Sequence, residues 1–132
     1  MFTIEQIQEI HARVKSGADF PRYVQELKEI GVTGYTIHVD DGRTIYHGKN
    51  DFTLISNVQY SPLKVTPKGD QMKLEYALEL HQQGLTDFPT FCLQAAEAGA
   101  EKWTIDIIKM TCTYYDQQGN LLLAEDIPDK SA

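Results

Sequence analysis

His38, Asp40, Arg43 and His47 crowd into one short stretch on either side of an Asp41-Gly42 pair. A histidine beside a carboxylate is the smallest pairing that serves as a general base or a metal ligand, because the carboxylate fixes the imidazole tautomer and raises its basicity. Tyr35, Ile37 and Val39 alternate with Thr36, His38 and Asp40, which predicts a strand, and Asp41-Gly42 predicts a tight two-residue hairpin turn. With that turn Asp40 faces Arg43, His38 faces Ile45 and Thr36 faces His47. The four polar residues then converge on one face, and Tyr35, Ile37, Val39, Thr44 and Tyr46 form the face toward the core. A solvated hairpin face accounts for the same residues. The set lacks a third anchored ligand and a nucleophile, so no catalytic residue, metal ligand or cofactor is assigned from it.

Other groups with chemical potential are weaker. Asp106 stands near the place of His38 in a second, similar stretch, and a pseudo-twofold arrangement would bring the two together as a shallow polar site. His11 and His81 each follow a Glu-x pair near the end of an expected helix, where a partly charged imidazole meets the negative end of the dipole. Asp19 and Asp87 read as helix caps ahead of Phe-Pro. Cys92 and Cys112 belong to no Cys-x-x-Cys pair and read as buried thiols. There is no Gly-x-Ser-x-Gly elbow and no glycine-rich phosphate loop.

The elements that must carry these residues occur twice. Sliding 19–37 onto 87–105 pairs Asp19/Asp87, Phe20/Phe88, Pro21/Pro89, Glu29/Glu97, Gly31/Gly99, Thr36/Thr104 and Ile37/Ile105, where average composition gives about one coincidence. In the first copy, Thr3 and Gln6 form a capping box with Phe2 and Ile7 as its staple; Ile4, Ile7, Ile10 and Val14 make the apolar stripe, closed at Gly17. A second helix runs from Pro21 to about Ile30 with Tyr23, Val24, Leu27 and Ile30 inward. The hairpin follows, then a turn at 48–51 and a third strand from Phe52 to Tyr60. In the second copy, Met72, Tyr76, Ala77 and Leu80 predict a helical stripe ending near Gly84, and Phe91, Ala95 and Ala98 a second helix up to Gly99. Trp103, Ile105 and Ile107 give a strand whose phase changes at Ile108, predicting a β-bulge there. A turn over 116–120 leads to a last strand, and the tail from Asp126 is expected to be loose.

The expected fold is therefore α+β, an internal duplication of an ααβββ unit with antiparallel strands in one sheet or two and four helices packed on one side. Repeat 1 spans about 3–60, a linker 61–69, and repeat 2 about 70–126, in a single pseudo-symmetric domain over 1–132, since a half-length chain buries too little surface to stand alone. Twelve Lys and Arg against 19 Asp and Glu give a net charge of -7, which opposes binding to a phosphate backbone. No segment approaches a membrane span and no signal-peptide pattern opens the chain, so cytoplasmic residence is expected.

With its paired Asp-Phe-Pro helix starts, its Tyr35 and Trp103 strands and its length, the chain resembles the YdfO-like family of small bacterial and prophage proteins over nearly all its residues. That family is a domain of unknown function, sometimes labelled a phage envelope protein. The resemblance implies an α+β domain and carries over no catalytic residue. The envelope label fits poorly with a sequence lacking membrane, collagen-like and coiled-coil segments.

The function expected from these features is an accessory interaction domain that binds another protein, or itself, through the sheet face left open by the helices. Tyr114 and Tyr115 are the candidate contact aromatics, because neighbours in a strand point to opposite faces. The alternative is a small-molecule-binding or hydrolytic enzyme using a crevice between the copies lined by His38, Asp40 and Asp106. Neither nucleic acid nor membrane is an expected partner.

Overall fold

The computed structural model describes residues 2–14, 19–56 and 62–127. Thr3 starts the first helix as its spacing from Gln6 dictates. The Gln6 amide donates to the Thr3 hydroxyl at 3.2 Å and the Thr3 amide donates to the Gln6 side-chain oxygen at 2.9 Å. This helix, α1 (Ile4–His11), buries Ile7 and Ile10, with Val14 partly buried beyond its end. The expected stop at Gly17, the expected strand end at Tyr60 and the tail past 127 lie outside the described residues. Within them the third strand is shorter than expected, ending at Ile55. The expected loose tail begins in order, with Asp126 in the last strand and Ile127 buried, its amide donating to the Met110 carbonyl at 2.8 Å.

Helix α2 (Phe20–Glu29) buries Tyr23, Val24 and Leu27, and the amides of Gly31 and Val32 fold back onto the carbonyls of Lys28 and Leu27 to end it. The strands β1 (Gly34–His38), β2 (Thr44–His47) and β3 (Thr53–Ile55) follow, then α3 (Gln71–Gln82), α4 (Phe88–Glu97), β4 (Lys102–Asp106), β5 (Thr111–Tyr115) and β6 (Leu121–Asp126). The chain is α+β, the described residues forming four helices on one side of a six-stranded antiparallel sheet of order β3-β2-β1-β4-β5-β6.

That order is symmetric about the seam between β1 and β4. At its centre Thr36 pairs with Thr104, its own counterpart in the sequence alignment, and their hydroxyls lie 3.2 Å apart. The inward face holds matching aromatic stacks on either side. Tyr23 meets Tyr35 at 6.2 Å and Tyr35 meets Tyr46 at 5.5 Å; Phe91 meets Trp103 at 5.5 Å and Trp103 meets Tyr114 at 5.5 Å. One hydrophobic cluster joins both sets to all four helices.

Three local expectations need correction. The first hairpin is not closed by Asp41-Gly42 alone. The Gly42 amide donates to the His38 carbonyl at 2.8 Å across a four-residue loop, 39–42. Val39 causes this: its side chain is sunk in the core and its amide bonds the Glu101 carbonyl at 2.9 Å. A two-residue turn of the preferred kind needs two positive φ values, and only Gly42, at 75°, supplies one. The register therefore slips by two from the expected one, pairing Thr36 with Ile45, and an even slip leaves both faces as read.

The phase change at Ile108 is likewise a hairpin loop, 107–110, and not a bulge; Met110 takes Gly42's place with φ 55°. A register shift does occur against β6, at Tyr114/Tyr115. In α3 the buried stripe is Leu74, Ala77 and Leu78, while Met72 and Tyr76 are 80% and 64% exposed. Two apolar faces at helical spacing compete on this helix, and the one that meets α4 and β6 wins.

Candidate functional site

The face of the sheet turned away from the helices is built in three rows by strand register. The central row crosses all six strands as Ile55, Ile45, Thr36, Thr104, Thr113 and Ala124, and carries no charge. On one side run Arg43, His38, Lys102, Tyr115 and Leu121; on the other run Thr53, His47, Gly34, Asp106, Thr111 and Asp126. Lys102 extends over the Tyr115 ring, its Nζ 5.7 Å from the centroid.

Gly34 is the gap in this surface. A Cβ there would come 2.8 Å from the Ile105 carbonyl oxygen, so only glycine lets β1 and β4 approach at this point. Around it lies an open, shallow hollow of about 410 Å³ whose rim includes Thr36, His47, Thr104, Asp106, Ile108 and Lys109. His47 and Asp106 both pair with Gly34. Their backbones stand about 10 Å apart, two strand spacings, one on either side of the glycine. Asp106 also accepts from the Lys109 amide at 2.9 Å, which holds its carboxylate at the hollow's edge.

The predicted convergence of His38, Asp40, Arg43 and His47 does not form. His38 lies beside Arg43, its amide donating to the Arg43 carbonyl at 2.9 Å, but Asp40 stays in the loop and His47 is at the far end of β2. Arg43 turns to Asp41, 3.9 Å from its carboxylate. His38 pairs with Lys102, while Asp106 is four residue steps further along the seam, about 13 Å. The proposed His38–Asp106 site is therefore not assembled within one chain. Asp106 and His47 share the hollow instead. The glycine opposite both of them is the sequence signal that could have identified it.

Tyr114 is 4% exposed and packed against Trp103 in a tilted ring pair, so it is a core residue and not a contact aromatic. Tyr115 points to the open face as expected for its neighbour. Burial pushes the Cys112 thiol up to about 12, which makes it inert at neutral pH; Cys92 is buried as well. Among the described residues no group of three His, Cys, Asp or Glu side chains is placed to hold a metal.

The two helix-end histidines also differ from expectation. His11 packs edge-on against Tyr23 at 5.6 Å, and burial lowers its pKa. His81 stacks on Phe91 at 4.8 Å; burial lowers its pKa as well, against the opposing pull of the Thr86 carbonyl and Asp87. Burial shifts both rings toward the neutral form, which weakens any interaction with the helix dipole. Asp87 caps α4, accepting from the Thr90 amide at 2.9 Å, whereas Asp19 has helical backbone angles and accepts no such cap bond. Sequence reasoning also passed over Glu125. It sits on the inward side of β6 opposite Cys112, and its pKa is raised by burial and by Glu75, with Gln82 opposing.

Comparison with known proteins follows the same outline. The family model described as "Protein of unknown function (DUF1398)" matches residues 8–126. The chain is also similar to the "Uncharacterized protein YcgX" of Escherichia coli (strain K12), 28% identical over 122 residues that cover 91% of this chain and 90% of that protein. Among the described residues no helix is long and apolar enough to cross a membrane.

Proposed function

Starting from a chain that belongs to the DUF1398 family of proteins of unknown function, we propose that it is an accessory interaction domain whose working surface is the open face of the sheet. One observation carries this reading: an uncharged row of side chains crosses all six strands, ends in Ile45 and Ile55, and has no described helix over it. Ile55 and Leu121 on this face are 59% and 60% exposed. Threonine and isoleucine on a regular pleat present a flat, stiff surface that costs little side-chain entropy to cover. Charged rows on both flanks give a partner its orientation.

The same proposal includes a common origin for the two halves and a finer kinship with the YdfO-like prophage proteins. Both are supported by the paired Asp-Phe-Pro helix starts and the Tyr35 and Trp103 strands. Cytoplasmic residence and avoidance of nucleic acid also belong to it, the second supported by the net charge of -7.

The enzyme reading keeps one observation in its favour, the hollow at Gly34 with His47 and Asp106 on its rim. It is shallow, and it holds no nucleophile paired with a base, so binding is the chemistry it supports.

The test places a bulky cation in the uncharged row. Thr113→Arg at the centre of β5 should leave the melting curve nearly unchanged, since its side chain faces solvent, and should abolish capture of the partner from a host extract. Capture that survives in a folded Thr113→Arg protein would remove the open face from the interaction.

A further inference from the structure

We propose that the open face pairs with the open face of a second copy of this chain, related by a twofold axis lying along the uncharged row. The inference rests on the interaction reading above and names its partner. It follows from how the three rows map onto themselves. A twofold along the central row keeps each strand over its own equivalent and exchanges the two flanks, so each flank meets the opposite flank of the partner. Thr36, Thr104 and Thr113 then face their own copies, where neutral hydroxyls and methyl groups tolerate self-contact. Lys102 is carried over the position of Asp106, because both lie on the open side of β4, one on each flank. The operation repeats this contact, giving a Lys102–Asp106 pair at each end of β4.

The same operation carries His38 over Gly34, since both are outward positions of β1. The hollow of about 410 Å³ at Gly34 has room to admit such a side chain. His38 and Asp106 lie about 13 Å apart within one chain; in the pair, each His38 would enter the hollow bounded by the other copy's Asp106. Lys109 and His47 stand on the same rim, so the arrangement depends on the specific Lys102–Asp106 pair and not on the net charge of a row.

The alternative in-plane axis, along the strands, is less favourable. It superposes β1 on β4 and sets His38 against Lys102, which leaves that ammonium without an acidic partner, while Asp106 meets the empty Gly34 position. Aligned sheets pack face to face with a rotation of about 30°, which displaces the central contacts least. The pairs nearest the axis are thus the ones the arrangement fixes.

Sedimentation of the full chain tests this. The wild type should show a reversible dimer. Lys102→Glu and Asp106→Lys should each weaken it by about tenfold or more, the cost of setting like charges together. The double variant Lys102→Glu/Asp106→Lys should recover the dimer, which a merely damaged fold would not do. A wild type that stays monomeric at high concentration overturns the proposal, as does a double variant no tighter than the single ones. A monomeric chain that still captures a host protein, and loses it on Thr113→Arg, overturns self-pairing while the interaction reading stands. A monomer whose capture ignores Thr113→Arg overturns both.

Discussion

Two imidazoles packed against aromatic rings contribute to the pH response of this protein. His11 and His81 are both held below the ordinary histidine value of 6.5 by burial against aromatic rings. A depressed pKa means that the unfolded chain binds more protons than the folded one below about that value. Their contribution is therefore fully present above pH 6.5 and is lost as pH falls through the folded-state values. Thermal melts from pH 7.5 downward should show the midpoint dropping across this window, and the variant His11→Gln/His81→Gln should flatten that drop. An unchanged slope would mean that the rings carry no proton linkage. The two histidines were visible in the sequence at matching places, but their role was misread. A helix end seen in sequence reports the dipole, whereas the aromatic neighbours come from α2, α4 and the sheet, and long-range packing decides which effect wins. The same limit explains Tyr114: alternation showed that it and Tyr115 face opposite ways, and only the sheet's position against the helices says which one is inside.

Turns decide register at the level of elements, and the two kinds present here separate what sequence can and cannot show. In the 39–42 loop, Asp41-Gly42 looked like a complete two-residue turn, yet the pull of Val39 into the core lengthened it. In the next turn both central residues are left-handed, Asn50 at φ 58° and Asp51 at φ 60°, and the Phe52 amide closes it onto the Lys49 carbonyl at 3.2 Å. This is the geometry for which Asn-Gly is the preferred pair. Asp51→Gly should therefore stabilise the protein by about 0.5–1 kcal/mol, the relief of a non-glycine left-handed residue less the extra freedom glycine gains when unfolded. Urea unfolding would register it as a higher midpoint at constant m-value. A lower midpoint would show that the Asp51 side chain contributes more than its backbone costs. The order of elements, the faces of the strands and two of the three capping residues that bond, Thr3 and Asp87 but not Asp70, were legible because each depends on neighbours a few positions away. The α3 stripe was not, because Met72 and Tyr76 satisfy the helical period as well as Leu74 and Leu78 do.

For the molecule as a whole, the decisive contact is the seam where β1 meets β4. Neither half closes its own sheet there: the Tyr35–Ile105 and Ile37–Trp103 pairs and the Thr36–Thr104 hydrogen bond all cross it, and the inward side chains of both strands lie in one cluster. The matching stretches of sequence predicted a shared interior but could not say which strands would meet, since each edge of the first half has a candidate equivalent in the second. What singles out this edge is Gly34, the residue with no side chain to keep Ile105 away. Adding one methyl tests the seam with the smallest possible change. Gly34→Ala sets a Cβ 2.8 Å from a backbone oxygen, and a backbone atom cannot swing aside as a side chain can, so the strands must part at a cost of about 1–3 kcal/mol. If the halves form one cooperative unit, the loss appears equally in Trp103 fluorescence, which reports the second half, and in far-UV circular dichroism, which reports both. The two curves should shift together and remain coincident. A fluorescence transition that separates from the circular dichroism one would mean that the halves hold their own structure, and that the seam joins two units which melt independently.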